Sequence, residues 1–207
     1  MTDNPKRQPK DKRVRFISQK TEFQGFSRVD NLQVNLQAHA GGWIGPINRE
    51  VYIRADAAAV LPYDPLTDQV ALLEQFRAGS YLAGENCWQL EPVAGMVDSG
   101  EIPQDVMVRE TQEELGVSLV RLEPICTYLV SPGYTTERVF YSLGIIRAEE
   151  VQGIHGMAQE GEDILTHVLS ADEAFQRLDA GEFQYSLTVI GLLWLKLNRD
   201  RVRSSSK

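Results

Sequence analysis

The chain has 207 residues, enough for one well-buried domain with an extension but short of two full domains. Its net charge of −8 is uneven: residues 1–15 hold six basic side chains (Lys6, Arg7, Lys10, Lys12, Arg13, Arg15) against Asp3 and Asp11, a balance of +4 that leaves −12 on the remainder. An acidic body repels a phosphate backbone, and no apolar stretch is long enough to span a bilayer (the longest is Val189–Leu197), so neither nucleic acid nor membrane is an expected partner.

Residues 1–15 lack apolar periodicity and carry Pro5 and Pro9, which predicts a disordered basic tail. No signal peptide opens the chain, and Cys87 and Cys126 have no paired spacing; reduced thiols in a cytoplasmic protein are expected. Phe16–Gln37 alternates apolar and polar residues and reads as strand material. Ala40–Pro46 is a glycine-rich turn, after which Ile47–Ile53 resumes an extended pattern. Asp56–Leu61 is a small or apolar run that suits a buried strand; Pro62–Pro65 turns the chain, and Gln69–Phe76 pairs back as a hairpin. A strand around Trp88–Val93 leads to a helix that begins near Pro103, a favoured first-turn proline. Arg121–Leu129, Glu137–Ile146 and Asp163–Leu169 read as further strands. Ser170, paired with Glu173 in a capping box, starts a helix that Gly181 ends. Ser186–Leu197 forms a last helix whose apolar positions Val189, Ile190, Leu193 and Leu197 are expected in the core. This order predicts the α/β class: an α/β/α sandwich with a mixed sheet, preceded by N-terminal antiparallel strands.

The chemistry concentrates between Gly95 and Val117. A glycine turn leads through Glu101 into a helix carrying Arg109, Glu110, Glu113 and Glu114, closed by Gly116. Residues three and four apart share a helix face, so the three glutamates crowd one stripe, with Glu110 and Glu114 roughly 6 Å apart along the axis. Such a stripe repels itself unless hard cations join it, and Mg²⁺ takes oxygen ligands and is usually shared with phosphates. Arg109, four residues before Glu113, holds the cluster together. A solvated acidic face is the bland alternative. Seven polar or glycine positions, each matching at odds of about one in twenty, argue against it.

The spacing of Gly95, Glu101, Arg109, Glu110, Glu113, Glu114, Gly116 and Val117 resembles the Nudix box, with Thr111 at a normally apolar position as the one departure. Beyond the box, from about Phe23 to Leu197, the chain resembles the bacterial ADP-ribose pyrophosphatases of that superfamily. Glu74-Gln75-Phe76-Arg77, Glu91-Pro92-Val93-Ala94-Gly95, Ser131-Pro132-Gly133, Gly153-Ile154-His155-Gly156 and Glu160-Gly161-Glu162-Asp163 carry the likeness. Pro132, fifteen residues after Val117, stands where that class marks ADP-ribose preference.

The resemblance implies Mg²⁺-dependent hydrolysis of ADP-ribose to AMP and ribose 5-phosphate, with Mn²⁺ as a possible substitute. It implies metal ligands at Glu110, Glu114, Glu162 and the Ala94 carbonyl, and a catalytic set of Glu160 (general base), Glu113 and Arg109. Substrate contacts are implied at Arg77, Met96, Ser131, Gly133 and Glu137, and from the N-terminal region at Phe26, Ser27, Arg49, Glu50 and Arg54. It further implies a homodimer with exchanged N-terminal strands. The organisation is then a basic tail 1–15, a dimerising strand region 16–54, a hydrolase domain 55–199 and a flexible tail 200–207. Other nucleoside diphosphate sugars, GDP-mannose or ADP-glucose, are the nearest alternative substrates, since one or two pocket residues decide between them. An isopentenyl diphosphate isomerase lacks its cysteine context here, and a silent binding module is at odds with a full set of box carboxylates.

Overall fold

The computed structural model describes residues 11–157, 159 and 161–205. Their contacts divide into two compact units, the first comprising the chain up to Asp56 with Asp98–Gly100 and Tyr128–Val139, the second Ala57–Val97, Glu101–Thr127 and the chain from Phe140.

In the first unit β1 (Val14–Gln24), β2 (Arg28–Gln37) and β3 (Trp43–Ile53) form an antiparallel sheet in that order. The Phe16–Gln37 stretch is therefore two strands, broken where the Gly25 N–H bonds the Ser27 carbonyl at 2.9 Å. The next turn is tighter than Ala40–Pro46: Gly41 and Gly42 (φ +91° and +77°) make it, and β3 has begun by Trp43. Every residue of β1 is exposed, including Val14, Phe16, Ile17 and Phe23. Of the expected disordered tail, residues 1–10 lie outside the described residues, and Val14 and Arg15 already belong to β1.

The second unit is built on a mixed sheet. Its strands are β4 (Asp56–Asp64), β5 (Gln69–Phe76), β6 (Trp88–Glu91), β7 (Val93–Val97), β8 (Arg121–Leu129), β9 (Arg138–Ile145), β10 (Ile154–His155) and β11 (Ile164–Ser170). They lie in the order β10-β11-β5-β4-β9-β8, with β6 added to β5 and β7 to β4; the ends of β8 and β9 from Tyr128 to Val139 count with the first unit. Among the described residues the α-helices are α1 (Ala78–Ala83), α2 (Pro103–Leu115), α3 (Ala171–Asp179) and α4 (Ser186–Ser204). α2 packs on β7 and β10, while α3 and α4 pack on each other and on β11, β5 and β6, which gives the α/β/α sandwich expected. Ala58, Val60, Ala71, Leu73, Val93, Val106, Met107, Leu115 and Ile164 fill the core under α2.

Several boundaries differ from the sequence reading. Pro92 splits the Trp88–Val93 stretch, leaving β6 before it and β7 after it, since proline cannot donate to a ladder. β4 runs on through Asp64, so its turn is Pro65–Asp68 rather than Pro62–Pro65. Asp64 makes that turn by accepting from the Leu66 and Thr67 amides at 2.8 and 3.3 Å. Asp68 completes it at φ +61°, and its carboxylate accepts from the Tyr63 hydroxyl (2.7 Å), the Arg203 Nη1 (3.0 Å) and the Arg199 guanidinium. Arg199 also reaches Asp172 of α3 at 2.7 Å. At the start of α3 the Ser170 hydroxyl accepts from the Glu173 amide at 3.1 Å, as the capping box predicts.

α4 corrects two expectations. It extends to Ser204, so Asp200–Ser204 are helical and not the start of a flexible tail. Its buried face is Leu187, Thr188, Gly191, Leu192, Leu195 and Val202, whereas Leu193 and Leu197 are exposed, the latter 86%. Small and hydroxylic residues decide the face: a Cβ on Gly191 would lie 2.1 Å from the Tyr141 hydroxyl, and Thr188 donates to the Leu90 carbonyl at 2.8 Å.

Candidate active site

α2 is embedded by its own sequence. Pro103 opens it, Asp105 complements the N-terminal dipole, and Val106, Met107, Thr111 and Leu115 are buried. Thr111, the departure from the box, is tolerated because its hydroxyl donates to the Met107 carbonyl at 2.7 Å. Gly116 ends the helix at φ +73°, and a Cβ there would meet the His155 ring at 2.5 Å; conformation and close approach both call for glycine.

The buried face also takes in Glu114, which is only 3% exposed and accepts from the Ala94 N–H of β7 at 3.1 Å. Burial pushes this carboxyl up to about 8; the neighbouring charges of Glu110 and Glu162 add to the rise, and the Ala94 N–H and Arg77 offset part of it. Burial likewise raises Glu110, with Glu113 and Glu162 adding repulsion and Arg109 opposing them. Glu110 lies flat on the β7 backbone: a Cβ on Gly95 would fall 1.9 Å from its Oε1. Arg109 donates to Glu110 at 2.8 Å and to Glu113 at 3.0 Å, and stands 3.9 Å from Glu101. Glu162 folds back within its loop, accepting from the Met157 N–H at 3.0 Å. Gly156, at φ +99°, makes room for it, since a Cβ there would be 2.8 Å from the Glu162 Cβ. Glu160 lies outside the described residues.

Glu110 and Glu114 are both raised by burial and by the charge of Glu162; with Glu162 they offer only oxygen donors, a set suited to Mg²⁺ or Mn²⁺. Among the described residues no three His, Cys, Asp or Glu side chains are already drawn together at metal-ligand distance.

Arg77 stands between the end of β5 and the start of α1. It is held by Glu91 of β6, with Nε 2.9 and 3.0 Å from the two carboxylate oxygens and Nη2 2.6 Å from Oε2. Met96, on β7, is exposed.

The remaining candidates fall in the first unit. Arg54, just past β3, lies 3.8 Å from Glu137, and its N–H bonds the Thr136 hydroxyl at 3.0 Å. The Ser27 hydroxyl bonds that of Tyr52, whose ring stacks on Tyr134 with centroids 6.0 Å apart. Tyr134 follows the Ser131–Gly133 turn, in which the Ser131 carbonyl accepts from the Tyr134 and Thr135 amides at 3.0 and 2.9 Å. Ser27, Arg54, Ser131, Gly133 and Glu137 are thus tied together. Arg49 and Glu50 sit further back on β3, opposite Leu32 and Asn31, and Phe26 is 88% exposed.

The NUDIX domain model matches residues 53–188, more than half of the chain. The chain belongs to the Nudix family. The ADP-ribose pyrophosphatase of Escherichia coli (strain K12) is 38% identical over 191 residues, covering 92% of this chain and 91% of its own. That of Haemophilus influenzae is 37% identical, covering 94% and 91%. A GDP-mannose pyrophosphatase of Shigella flexneri is 27% identical, covering 89% and 96%. A solved ADP compounds hydrolase superposes with a TM-score of 0.66 at 18% identity, covering 89% of this chain and 95% of its own, and shares the fold.

Two features of this Nudix site differ from the sequence reading. Glu114 is buried within the fold, where the Ala94 N–H of β7 bonds it, rather than lying on an exposed helix stripe. Arg77 already has a carboxylate partner. That partner is the fully buried Glu91, a residue of the Glu91–Gly95 stretch to which the resemblance assigns no role. In a strand of four residues that also carries Gln89, nothing in the apolar pattern marks Glu91 as buried.

Proposed function

We propose that the protein hydrolyses the pyrophosphate bond of ADP-ribose to AMP and ribose 5-phosphate with Mg²⁺. The observation that carries this is buried Glu114, raised by its burial and by the charges of Glu110 and Glu162, in a chain 37–38% identical to ADP-ribose pyrophosphatases over nearly its whole length. Glu110, Glu114, Glu162 and the Ala94 carbonyl would hold the metal. Bound there, Mg²⁺ would supply positive charge against the repulsion of a pyrophosphate and help to activate water. The protein's own groups do the rest: Arg109 steadies Glu110 and Glu113 for their work, Glu160 takes the proton of the attacking water, and Arg77 meets phosphate or terminal ribose. Phe26, Ser27, Arg49, Glu50, Arg54, Met96, Ser131, Gly133 and Glu137 contact the rest of the substrate.

The test is product analysis by ion-exchange chromatography after incubation with ADP-ribose, ADP-glucose and GDP-mannose, with and without Mg²⁺. AMP and ribose 5-phosphate formed fastest from ADP-ribose, and only with metal, is the expected result. Faster turnover of GDP-mannose would keep the box chemistry and refute the substrate; no turnover would leave a binding module.

We also propose a homodimer formed through the N-terminal strands. The fully exposed β1, with Phe16, Ile17 and Phe23 bare, supports it, since such a strand invites pairing. Light scattering coupled to size exclusion should return twice the 23.3 kDa chain mass; a monomer at micromolar concentration refutes it. The free thiols of Cys87 and Cys126 support a cytoplasmic setting.

A further inference from the structure

We propose that Glu91 is a positioning residue for the substrate: it clamps one edge of the Arg77 guanidinium so that the opposite edge is held, in a fixed orientation, for a phosphate or ribose oxygen next to the carboxylate cluster. This rests on the pyrophosphatase reading above.

The pair is asymmetric. Glu91 is fully buried, while the Arg77 side chain is 40% exposed. Nε and Nη2 both face the carboxylate, at 2.9, 3.0 and 2.6 Å, whereas Nη1 has no hydrogen-bond partner among the described residues. A guanidinium is planar and rigid, so fixing Nε and Nη2 also fixes the direction of Nη1. The backbone is held as firmly: the Arg77 N–H donates to the Cys87 carbonyl at 2.7 Å. Glu91 is held in turn by its place in β6 opposite Leu73, and α4 braces that strand through the Thr188 hydroxyl on the Leu90 carbonyl. The charge of Arg77 is felt at Glu114 as well as at Tyr185, so the guanidinium lies within electrostatic reach of the box carboxylates.

Fold stability alone does not account for the arrangement. Desolvating a carboxylate completely costs more than one ion pair returns, and well-packed apolar residues would serve a sheet as well. A buried acid that leaves half of its partner's donors open orients the partner rather than neutralising it.

Steady-state kinetics on ADP-ribose with saturating Mg²⁺ for Glu91→Gln, Arg77→Ala and the double variant test the clamp. Melting temperatures and the NMR signal of the Arg77 Nε–H are recorded for each chain that retains the arginine. Glu91→Gln keeps the shape and removes the charge. Its KM should rise about tenfold or more, as for a lost hydrogen bond to a charged group, with kcat within about threefold of wild type. In the Arg77→Ala background the same change should leave KM where it is, and the slowly exchanging Nε–H signal of wild type should disappear in Glu91→Gln. An unchanged KM with a lowered melting temperature, or KM effects that multiply in the double variant, would overturn the proposal and leave a structural ion pair. Arg77→Lys, which keeps the charge and loses the fork, covers the case of an unstable Glu91→Gln: raised KM at near wild-type melting temperature supports the clamp, and wild-type KM overturns it. The Nε–H signal is read without turnover. A wild type inactive on ADP-ribose therefore refutes the proposed activity, while persistence of that signal in Glu91→Gln refutes the clamp.

Discussion

Glu114→Gln should lose on the order of a hundredfold or more in turnover and yet, free of metal at pH 8, melt higher than wild type. The two halves of this expectation have one cause. Burial raises the Glu114 carboxyl to about 8 from an ordinary 4.5. The unfolded chain ionises near 4.5, so the fold binds a proton that the unfolded state has given up. Between about pH 4.5 and 8 the metal-free protein therefore loses stability as pH rises, by on the order of a few kcal/mol in total. Gln cannot ionise and escapes that loss, so the gap in melting temperature should be wide at pH 8 and nearly closed at pH 5. If Glu114 is one of the metal ligands, added Mg²⁺ should narrow or reverse the gap, because wild type then gains more from binding it than the variant. Calorimetry at the two pH values, with and without Mg²⁺, decides the matter; a variant that melts lower than wild type at pH 8 without metal would show that Glu114 supports the fold, and unimpaired turnover would remove it from the metal site.

Gly95→Ala reaches the same site without touching a carboxylate. The new methyl would occupy the space of the Glu110 carboxyl, 1.9 Å from Oε1 and 2.4 Å from Cγ. The obstacle is the end of a flexible side chain rather than backbone, so Glu110 swings aside and the strand stays in place. Misplacing a reactive group by about 1 Å is enough to cost on the order of a hundredfold, and a drop of that size is expected here. Stability should hold or rise slightly, by up to about 1 kcal/mol, because alanine restricts the unfolded chain. In a Glu110→Gln background the same change should cost little more. Equal rates for Gly95→Ala and wild type would mean that the position of Glu110 over β7 has no part in turnover.

The box and its helix were legible in the sequence because a helix converts spacing directly into proximity: Glu110, Glu113 and Glu114 had to share a face, and Arg109 had to lie four residues before Glu113. β5, β8, β9 and β11 were legible to within a residue, whereas β3 and β4 run through Gly45-Pro46 and Pro62, which read as turns. The depth of Glu114 was not legible, since the strand that bonds it, through the Ala94 N–H, lies twenty residues earlier. Nor was the partner of Arg77, because Glu91 reaches it by sheet pairing across fourteen residues. The face of α4 misled for a different reason. Val189, Ile190, Leu193 and Leu197 form an apolar stripe as regular as the one used, and the core side is marked instead by Gly191 and Thr188, which carry little hydrophobic signal.

The knot around Asp68 has a bearing on how the chain is made. The β4–β5 hairpin is complete by Phe76, yet two of the three side chains on the Asp68 carboxylate, Arg199 and Arg203, lie 131 and 135 residues beyond it. A nascent chain must carry the Pro65–Asp68 turn, with Tyr63 alone on the Asp68 carboxylate, until Arg199 and Arg203 have left the ribosome. A gene cut short after Leu197 would keep every residue of the box and never close that loop.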